Sequence, residues 1–304
     1  MRKKKSILII GGTGFIGYHL AKKTLKKGWI VTSISTKKPK KKRYLSKVQY
    51  LICDISKKKS LKKKITRSFD YVVNLGGHVN HSNSKKTFQS HFLGSKNLAE
   101  IFINTGIKSF VQMGSSGEYG TLKSPQLESY KCNPRSIYGR AKLLATQNLM
   151  RLFKEKNFPA TVLRLYQAYG PKQDFNRFIP IIIKACIKNK KFPCSEGKQF
   201  RDFIHVNDVL NAIIFSLLKK NAKGEIINIG SGKPKKIKSI INYLKKKLKG
   251  GHPEFGKIKL RKDEILKIYP SIYKAKKILN WKPKTSFSSG LNSTIQFYNN
   301  DEKQ

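Results

Sequence analysis

The sequence predicts an α/β fold in which a doubly wound parallel sheet is followed by a smaller C-terminal α/β lobe. Short apolar runs alternate with amphipathic helical patterns over the first half of the chain, as in consecutive βαβ units. Beyond Pro171 this alternation becomes irregular. We therefore expect a sheet domain at residues 1–170 and a lobe at residues 171–304, some segments of which return to the first domain.

The composition is that of a folded but highly basic protein. The 304 residues include 65 Lys and Arg against 16 Asp and Glu, a formal net charge of +49, and 38% of them are hydrophobic. The lysines are spread in pairs and triplets along the whole chain, which suits the solvent faces of helices better than one nucleic-acid groove. We expect no specific nucleic-acid partner; tight binding at physiological salt would favour the alternative, a nucleic-acid-binding protein.

Cysteine usage and hydropathy predict a cytoplasmic protein. The four cysteines lie far apart and form no C-x-x-C pair, as expected of reduced thiols. The basic start resembles a signal peptide, but its apolar run breaks at Gly11 and no cleavage site follows. No stretch reaches the length that spans a membrane, so we expect no membrane partner.

The first element in the chain is the stretch at residues 6–17, S-I-L-I-I-G-G-T-G-F-I-G, which predicts a strand, a tight turn and a helix. Gly11 permits the sharp turn, Gly14 lets backbone approach a pyrophosphate, and Gly17 lets the helix lie against the strand. Backbone N–H groups at the helix start then bind phosphates. This pattern predicts a Rossmann-type domain that binds NAD or NADP; the alternative is an ordinary glycine-containing βα turn, and the residues further along the chain distinguish the two.

The second strand, predicted at residues 29–35 after Gly28, ends where such enzymes distinguish the two cofactors. An acidic residue at this point holds the ribose 2′-OH of NAD. Here Thr36 and Lys37 follow Ser35, and this pattern suits a 2′-phosphate better. The sequence therefore favours NADP.

Three further strands are predicted at residues 48–55, 70–77 and 109–116, with a helix at 88–104 before the last of them. Strands alternating with helices indicate right-handed crossovers and a parallel sheet. Ligands of such a sheet bind beyond the carboxyl ends of its strands. In the C-terminal lobe, residues 178–187 form an apolar helical pattern.

The candidate catalytic residues follow the fifth strand. Ser115 and Ser116 stand at its end, and Y-G-R-A-K places Tyr138 and Lys142 four residues apart, on one face of a helix that runs to about Lys154. A lysine beside a tyrosine, with a cationic nicotinamide ring nearby, lowers the pKa of the phenol, which can then act as a general base. A serine hydroxyl can stabilise the reacting oxygen.

Seven motifs together resemble the extended short-chain dehydrogenases/reductases of the nucleotide-sugar epimerase/dehydratase family, over residues 7 to about 297. They occur in the order G-G-T-G-F-I-G, G-S-S-G-E-Y-G, Y-G-R-A-K, L-R-L-Y-Q-A-Y-G-P, Q-F-R-D-F-I-H-V-N-D-V, I-N-I-G-S-G and L-N-W-K-P. The resemblance implies an NAD(P)-dependent enzyme that transfers hydride at C4 of a nucleotide-linked sugar, as an epimerase or a 4-ketoreductase. It also implies a role in surface-polysaccharide or deoxysugar synthesis.

The resemblance assigns the catalytic roles to Ser115, four residues before Tyr119, and to Tyr138 and Lys142; Ser116 is the alternative serine. It further implies that the cofactor contacts Gly11, Gly14, Phe15, Ile16, Gly17, Thr36, Lys37, Asp54, Ile55, Leu75, Tyr138 and Lys142. Family members commonly form homodimers through the fourth helix and the Tyr138 helix. A homodimer is therefore expected here.

The substrate contacts implied by the resemblance are Ser116, Gln167, Arg201 and Arg261. Arg201 is expected to bind the diphosphate of the nucleotide sugar, since guanidinium groups pair with phosphate oxygens in bidentate fashion; an ion pair with Asp202 is its alternative. Arg261 either joins it or lies on the surface. His78 and His81 could suggest a metal pair, but without a third ligand we expect no metal.

Some positions depart from the family pattern. Family 4,6-dehydratases carry an Asp-Glu pair directly after the catalytic Thr, where this chain has Ser116 and Gly117, with Glu118 one position late. His91 and Gln167 stand where many members have Asn. A dehydratase that uses Glu118 and a noncatalytic NAD(P)-binding regulator remain as alternatives to the epimerase or reductase.

Overall fold

The computed structural model of the protein describes residues 3–78, 82–260 and 264–301. Its largest sheet has seven strands, all parallel, in the order β11-β6-β5-β4-β1-β2-β3. These strands are β1 (Ser6–Ile10), β2 (Ile30–Ser35), β3 (Val48–Ile52), β4 (Tyr71–Asn74), β5 (Ser109–Ser115), β6 (Ala160–Leu165) and β11 (Ile226–Ile229). The doubly wound parallel sheet predicted from the sequence is confirmed.

Both faces of this sheet are covered by helices, so its strands are apolar on both sides. In β1, Ile7 and Ile9 belong to one buried cluster and Leu8 and Ile10 to another, because successive side chains of a strand point to opposite faces. The first cluster includes α1 (Phe15–Lys26), α7 (Val206–Leu218) and α9 (Tyr273–Leu279), and the second includes α2 (Lys58–Lys64), α4 (Gly94–Phe102) and α5 (Ile137–Lys156).

The lysines of two lysine-rich helices lie on their outer faces. In α2, Leu61 is buried and the lysines around it are exposed. In α8 (Ile237–Leu248), Ile240, Ile241 and Leu244 are buried while the three consecutive lysines at 245–247 are exposed. The high lysine content is therefore compatible with ordinary amphipathic packing.

The second half of the chain builds a smaller lobe around its own buried cluster, which contains Ile183, Phe203, Ile241 and Leu291. Its helices are α6 (Phe178–Ile187), which has the predicted bounds, α8 and α10 (Phe287–Asp301). Its short strands are β7 (Gln167–Tyr169), β8 (Lys191–Pro193), β9 (Phe200–Arg201), β10 (Phe203–His205), β12 (Lys235–Lys236), β13 (His252–Glu254) and β14 (Lys267–Ile268). In the described part of the chain, no helix combines the length and the apolar character needed to cross a membrane.

The structure corrects several predicted element bounds. Strand β3 ends at Ile52 and β4 at Asn74, so Asp54, Gly76 and Gly77 lie in the loops beyond them. The helix predicted at residues 88–104 begins earlier, at α3 (Ser84–Phe88), because the Asn83 side chain accepts a hydrogen bond from Lys86 N at 2.9 Å and caps it. A turn of π-helix, Gln89–Leu93, separates α3 from α4.

A buried carboxylate fastens the C-terminal segment to α7. Asp208, 1% exposed, accepts hydrogen bonds from the backbone N–H groups of Lys284 and Thr285, each at 3.0 Å. Its own carbonyl oxygen accepts the indole N–H of Trp281 at 3.1 Å. One residue of α7 therefore holds the start of the last segment of the chain through three hydrogen bonds.

Replacing this carboxylate should destabilise the whole protein. In Asp208→Asn one acceptor becomes an NH₂ group that faces a backbone N–H, and we expect the free energy of unfolding to fall by about 1–3 kcal/mol. Urea unfolding followed by circular dichroism measures this. The control is Glu155→Gln, which removes an exposed ion pair with Arg151 and should change stability by less than about 0.5 kcal/mol. Equal effects of the two substitutions would contradict the assigned role of Asp208.

Candidate active site

A large cleft lies beyond the carboxyl ends of the sheet strands. Its volume is about 1030 Å³, at the upper end of the range for small-molecule sites. The glycine-rich turn, the loops after β4 and β5, the start of α5 and the segment after β7 all contribute to its walls. Both the sheet domain and the segment after β7 therefore form walls of the cleft, which lies where ligands of a parallel sheet are expected to bind.

The glycine-rich turn forms one wall and has the shape that a dinucleotide needs. Gly11 has φ +76°, and a Cβ at this position would lie 3.0 Å from the carbonyl group of Leu75. A Cβ at Gly17 would collide with the backbone of Gly11. Gly14 precedes α1 and has no side chain to cap it, so the positive end of the helix faces the cleft. These residues fit the phosphates of NAD or NADP.

Three predicted catalytic side chains meet on the opposite wall. Ser115 ends β5, and its side chain lies close enough to that of Tyr138 to lower the pKa of the phenol. Tyr138 lies in the first turn of α5, which Ser136 caps by accepting a hydrogen bond from Gly139 N at 3.0 Å. Lys142, one turn further on, lies with its Nζ 5.9 Å from the centroid of the Tyr138 ring. Ser115, Tyr138 and Lys142 all line the cleft.

Burial controls the protonation of this group. It raises the pKa of Tyr138, against the lowering effect of the Ser115 hydrogen bond. It lowers the pKa of Lys142 to about 8, and the lysine Nζ donates a hydrogen bond to the carbonyl of Met113 at 2.7 Å. The sequence predicts that Lys142 and a cationic nicotinamide ring lower the pKa of the Tyr138 phenol. In the protein without cofactor, burial has the largest effect on this pKa, and it raises it.

Glu118 lies behind this wall and does not line the cleft. It is fully buried: its Oε1 accepts a hydrogen bond from Ser115 N at 2.8 Å, and its Oε2 accepts one from Thr146 Oγ1 at 2.9 Å. The same Oε2 pairs with Arg164 Nε at 2.8 Å. Among the described residues that line the cleft, Asp174 is the only carboxylate. Glu118 thus holds Ser115 N from the core and does not face the cleft.

His91 is a site residue whose position could not be predicted from the sequence. It lies in the π-helical turn, and its ring packs edge-to-face against Tyr138 with centroids 4.9 Å apart. Its Nε2 lies 3.2 Å from the carbonyl oxygen of His78, and a Cβ at Gly77 would collide with the ring. The loop after β4 therefore holds His91 against the phenol.

The predicted cofactor residues fall into two groups. Those that line the cleft are Gly11, Gly14, Phe15, Ile16, Gly17, Leu75, Tyr138 and Lys142. Thr36, Lys37 and Asp54 are exposed and Ile55 is buried in the core, and none of the four lines the cleft. The Asp54 carboxylate instead accepts a hydrogen bond from Ser56 N at 2.9 Å. Cofactor contacts by these four residues stay predictions.

The predicted substrate residues are also divided. Ser116 and Gln167 line the cleft. Arg201 lies on β9 outside it and forms an ion pair with Glu264, whereas the neighbouring Asp202 accepts hydrogen bonds from Ser231. The alternative, an ion pair between Arg201 and Asp202, is therefore wrong. Arg261 and His81 lie outside the described residues.

Several basic side chains of the cleft were not identified from the sequence. Lys40, Lys42 and Arg43 come from the loop after β2, and Lys172 and Arg177 from the segment after β7. In a chain with 65 basic residues a run such as K-K-K-R carries little information. The one available signal was an arginine within a lysine run, close to the predicted ribose site.

Known proteins are similar to this chain over nearly its whole length. A UDP-N-acetyl-alpha-D-glucosaminuronate decarboxylase from Bacillus cytotoxicus is 27% identical over 317 residues, covering 97% of this chain and 98% of that protein. The structure of UDP-glucose 4-epimerase with UDP-glucose from Thermotoga maritima matches with a TM-score of 0.92 at 25% identity, covering 98% and 99% of the two chains.

A second solved structure contains a cofactor. UDP-glucuronic acid 4-epimerase from Bacillus cereus, in complex with UDP-glucuronic acid and NAD, matches with a TM-score of 0.88 at 26% identity, covering 97% of this chain and 99% of that one.

The family model described as "NAD dependent epimerase/dehydratase family" matches residues 7–230, which confirms the resemblance seen in the motifs. Because this match runs from the first strand of the large sheet to just beyond the last, the protein belongs to the NAD-dependent epimerase/dehydratase family.

Proposed function

We propose that the protein is a nucleotide-sugar 4-epimerase that uses Tyr138 as its acid and base. The observation that carries the proposal is that Ser115, Tyr138 and Lys142 come together on the wall of a cleft whose other wall fits a dinucleotide. The family membership and the two 4-epimerase structures that match the fold support the same reaction.

The protein's part in the reaction is to hold the sugar oxygen and move its proton. Tyr138 takes the proton from the C4 hydroxyl and later returns it, and the Ser115 hydroxyl hydrogen-bonds the same oxygen while charge develops on it. Positive Lys142 favours the phenolate form of Tyr138. The turn that contains Gly11, Gly14 and Gly17 would hold NAD, which would supply the hydride acceptor and donor for C4.

The position of Glu118 argues against the dehydratase alternative. Elimination of water needs an acid and a base at the sugar, and the Glu118 carboxylate is committed to Ser115 N, Thr146 and Arg164 in the core. A noncatalytic regulator would not need the three catalytic side chains to converge. The proposed function therefore keeps hydride transfer at C4 as the reaction.

NAD is the cofactor named for the family. The sequence favours NADP because of Thr36 and Lys37, but neither side chain lines the cleft. Arg43 does line the cleft, and this arginine is the basic group that bears on the choice between NAD and NADP.

We place the enzyme in the cytoplasm, in polysaccharide or deoxysugar synthesis. The four cysteines are all free thiols, which supports a reducing compartment.

Tyr138→Phe tests the proposal directly. Without the hydroxyl, we expect epimerisation to fall about 10²–10⁴-fold, while NAD binding, measured by calorimetry, persists. Purified protein is incubated with UDP-, dTDP-, GDP- and CDP-sugars and NAD, and NMR reports the configuration at C4. The control is Tyr273→Phe, a 70% exposed tyrosine, which should leave the rate unchanged.

Other products in the same assay would overturn parts of this proposal. A gain of two mass units on a 4-keto sugar, seen only with added reductant, would make the enzyme a ketoreductase. Loss of water would mean that the assignment of Glu118 is wrong. The noncatalytic regulator would be favoured if none of the sugars reacted and if Tyr138→Phe still fulfilled the protein's role in the cell.

The pH profile tests Lys142. The base must lose its proton, so kcat/KM rises with pH until Tyr138 is ionised; positive Lys142 moves this rise to lower pH. Lys142→Met should shift the rising limb to higher pH, with the largest loss of rate below pH about 8, where the wild-type lysine is charged. Lys154→Met, at the exposed end of α5, is the control. An unshifted limb would contradict the role of Lys142.

We also propose a homodimer through the helix predicted at residues 88–104, which contains α4, and through α5. Leu144 on α5 is 38% exposed, and covering such apolar surface would stabilise an interface. Leu144→Glu should lower the mass measured by light scattering from two chains to one. Leu218→Glu, at a 45% exposed leucine on α7, should leave it unchanged. A monomeric wild-type protein would refute the proposal.

A further inference from the structure

The wall beside the expected ribose site lacks the acidic residue that NAD enzymes place there. Strand β2 ends at Ser35, whose Oγ accepts a hydrogen bond from Thr13 N in the glycine-rich turn at 3.3 Å. The carbonyl of Thr13 in turn lies 3.5 Å from Arg43 Nη1. In this kind of fold, residues at the end of the second strand contact the 2′ group of the ribose. Arg43 is therefore a cation placed beside the expected 2′ position.

Arg43 is well anchored in the structure. It ends the short 3₁₀ helix Lys41–Arg43 and is 8% exposed, unlike Lys40 and Lys42, which are exposed and screened by solvent. Its Nη2 donates a hydrogen bond to the carbonyl of Lys172 at 2.5 Å and lies 3.1 Å from Asp174 Oδ1. The Arg43 guanidinium, the group able to bind a 2′-phosphate, is thus already paired with the Asp174 carboxylate.

That carboxylate comes from the segment after β7, which is held in place from several sides. Pro171 O lies 2.8 Å from His19 Nε2 on α1, and Lys172 Nζ lies 4.8 Å from the Tyr18 ring centroid. Gln173 donates a hydrogen bond to Ala168 O at 2.8 Å. The position of Asp174 next to Arg43 is therefore fixed by the fold, although its side chain remains 43% exposed.

We propose that Asp174 sets the choice between NAD and NADP by occupying Arg43. A 2′-phosphate would have to displace the carboxylate from the guanidinium and would meet its negative charge, whereas a 2′-hydroxyl meets neither cost. Asp174 supplies, from a distant part of the chain, the acidic group that Ser35 does not. The inference rests on the proposed function, because it concerns the cofactor of the same cleft.

Calorimetric binding of NAD and NADP to four purified proteins tests the inference: wild type, Asp174→Asn, Arg43→Met and the double variant. Asp174→Asn should shift the ratio of the two dissociation constants about fivefold toward NADP, since a partly exposed charge pair has a modest effect. With Met at position 43 the same substitution should shift the ratio far less, because the only cation of the described residues then left beside Asp174 is the exposed Lys40, whose Nζ lies 3.6 Å from Asp174 Oδ1. Glu155→Gln, which removes another exposed carboxylate, should also leave it unchanged.

Two outcomes would overturn the inference while NAD still binds. One is an unchanged ratio in Asp174→Asn, whether or not both cofactors bind more weakly, and the other is a shift of the same size without Arg43. If Arg43→Met does not fold, as judged by circular dichroism, Arg43→Lys replaces it and should reduce the shift, because the bidentate fork is lost. Failure of the wild type to bind either cofactor would instead refute the proposed function.

Discussion

The wall of the cleft that contains Ser115 and Tyr138 depends on one buried ion pair. Glu118 and Arg164 are almost fully inaccessible, and the same carboxylate accepts hydrogen bonds from Ser115 N and from Thr146 on α5. Burying two charges is unfavourable unless each finds good partners, and here the partners come from β5, α5 and β6. The pair therefore fixes the strand that ends in Ser115 against the helix that carries Tyr138.

Much of the sheet domain could be predicted because its signals are local. Glycine spacing, apolar runs and the Tyr138 to Lys142 interval each follow from the backbone geometry of a turn, a strand or a helix. Strand ends were less accurate: Asp54 lies beyond β3, since the apolar run continues past the last ladder hydrogen bond. The π-helical turn around His91 was missed because no helix propensity signals an inserted residue.

Contacts between distant parts of the chain could not be predicted. The pairing of Arg43 with Asp174 joins the loop after β2 to the segment after β7, and only the folded chain brings them together. Arg201 and Glu264 are a second example, across 63 residues. In both cases the sequence offers a charged residue but not its partner, and the partner determines whether the charge is available to a ligand.

The lysine cover of α2 and α8 has a consequence for how this protein meets its ligands. NAD, NADP and nucleotide sugars all contain a diphosphate and carry a net negative charge, and a strongly positive surface concentrates such molecules around it before any specific contact forms. Diffusional encounter should then be fast in dilute buffer and slow down steeply as added salt screens the field within about 8–10 Å. Capture of ligand would depend on ionic strength, while the chemistry inside the cleft would not.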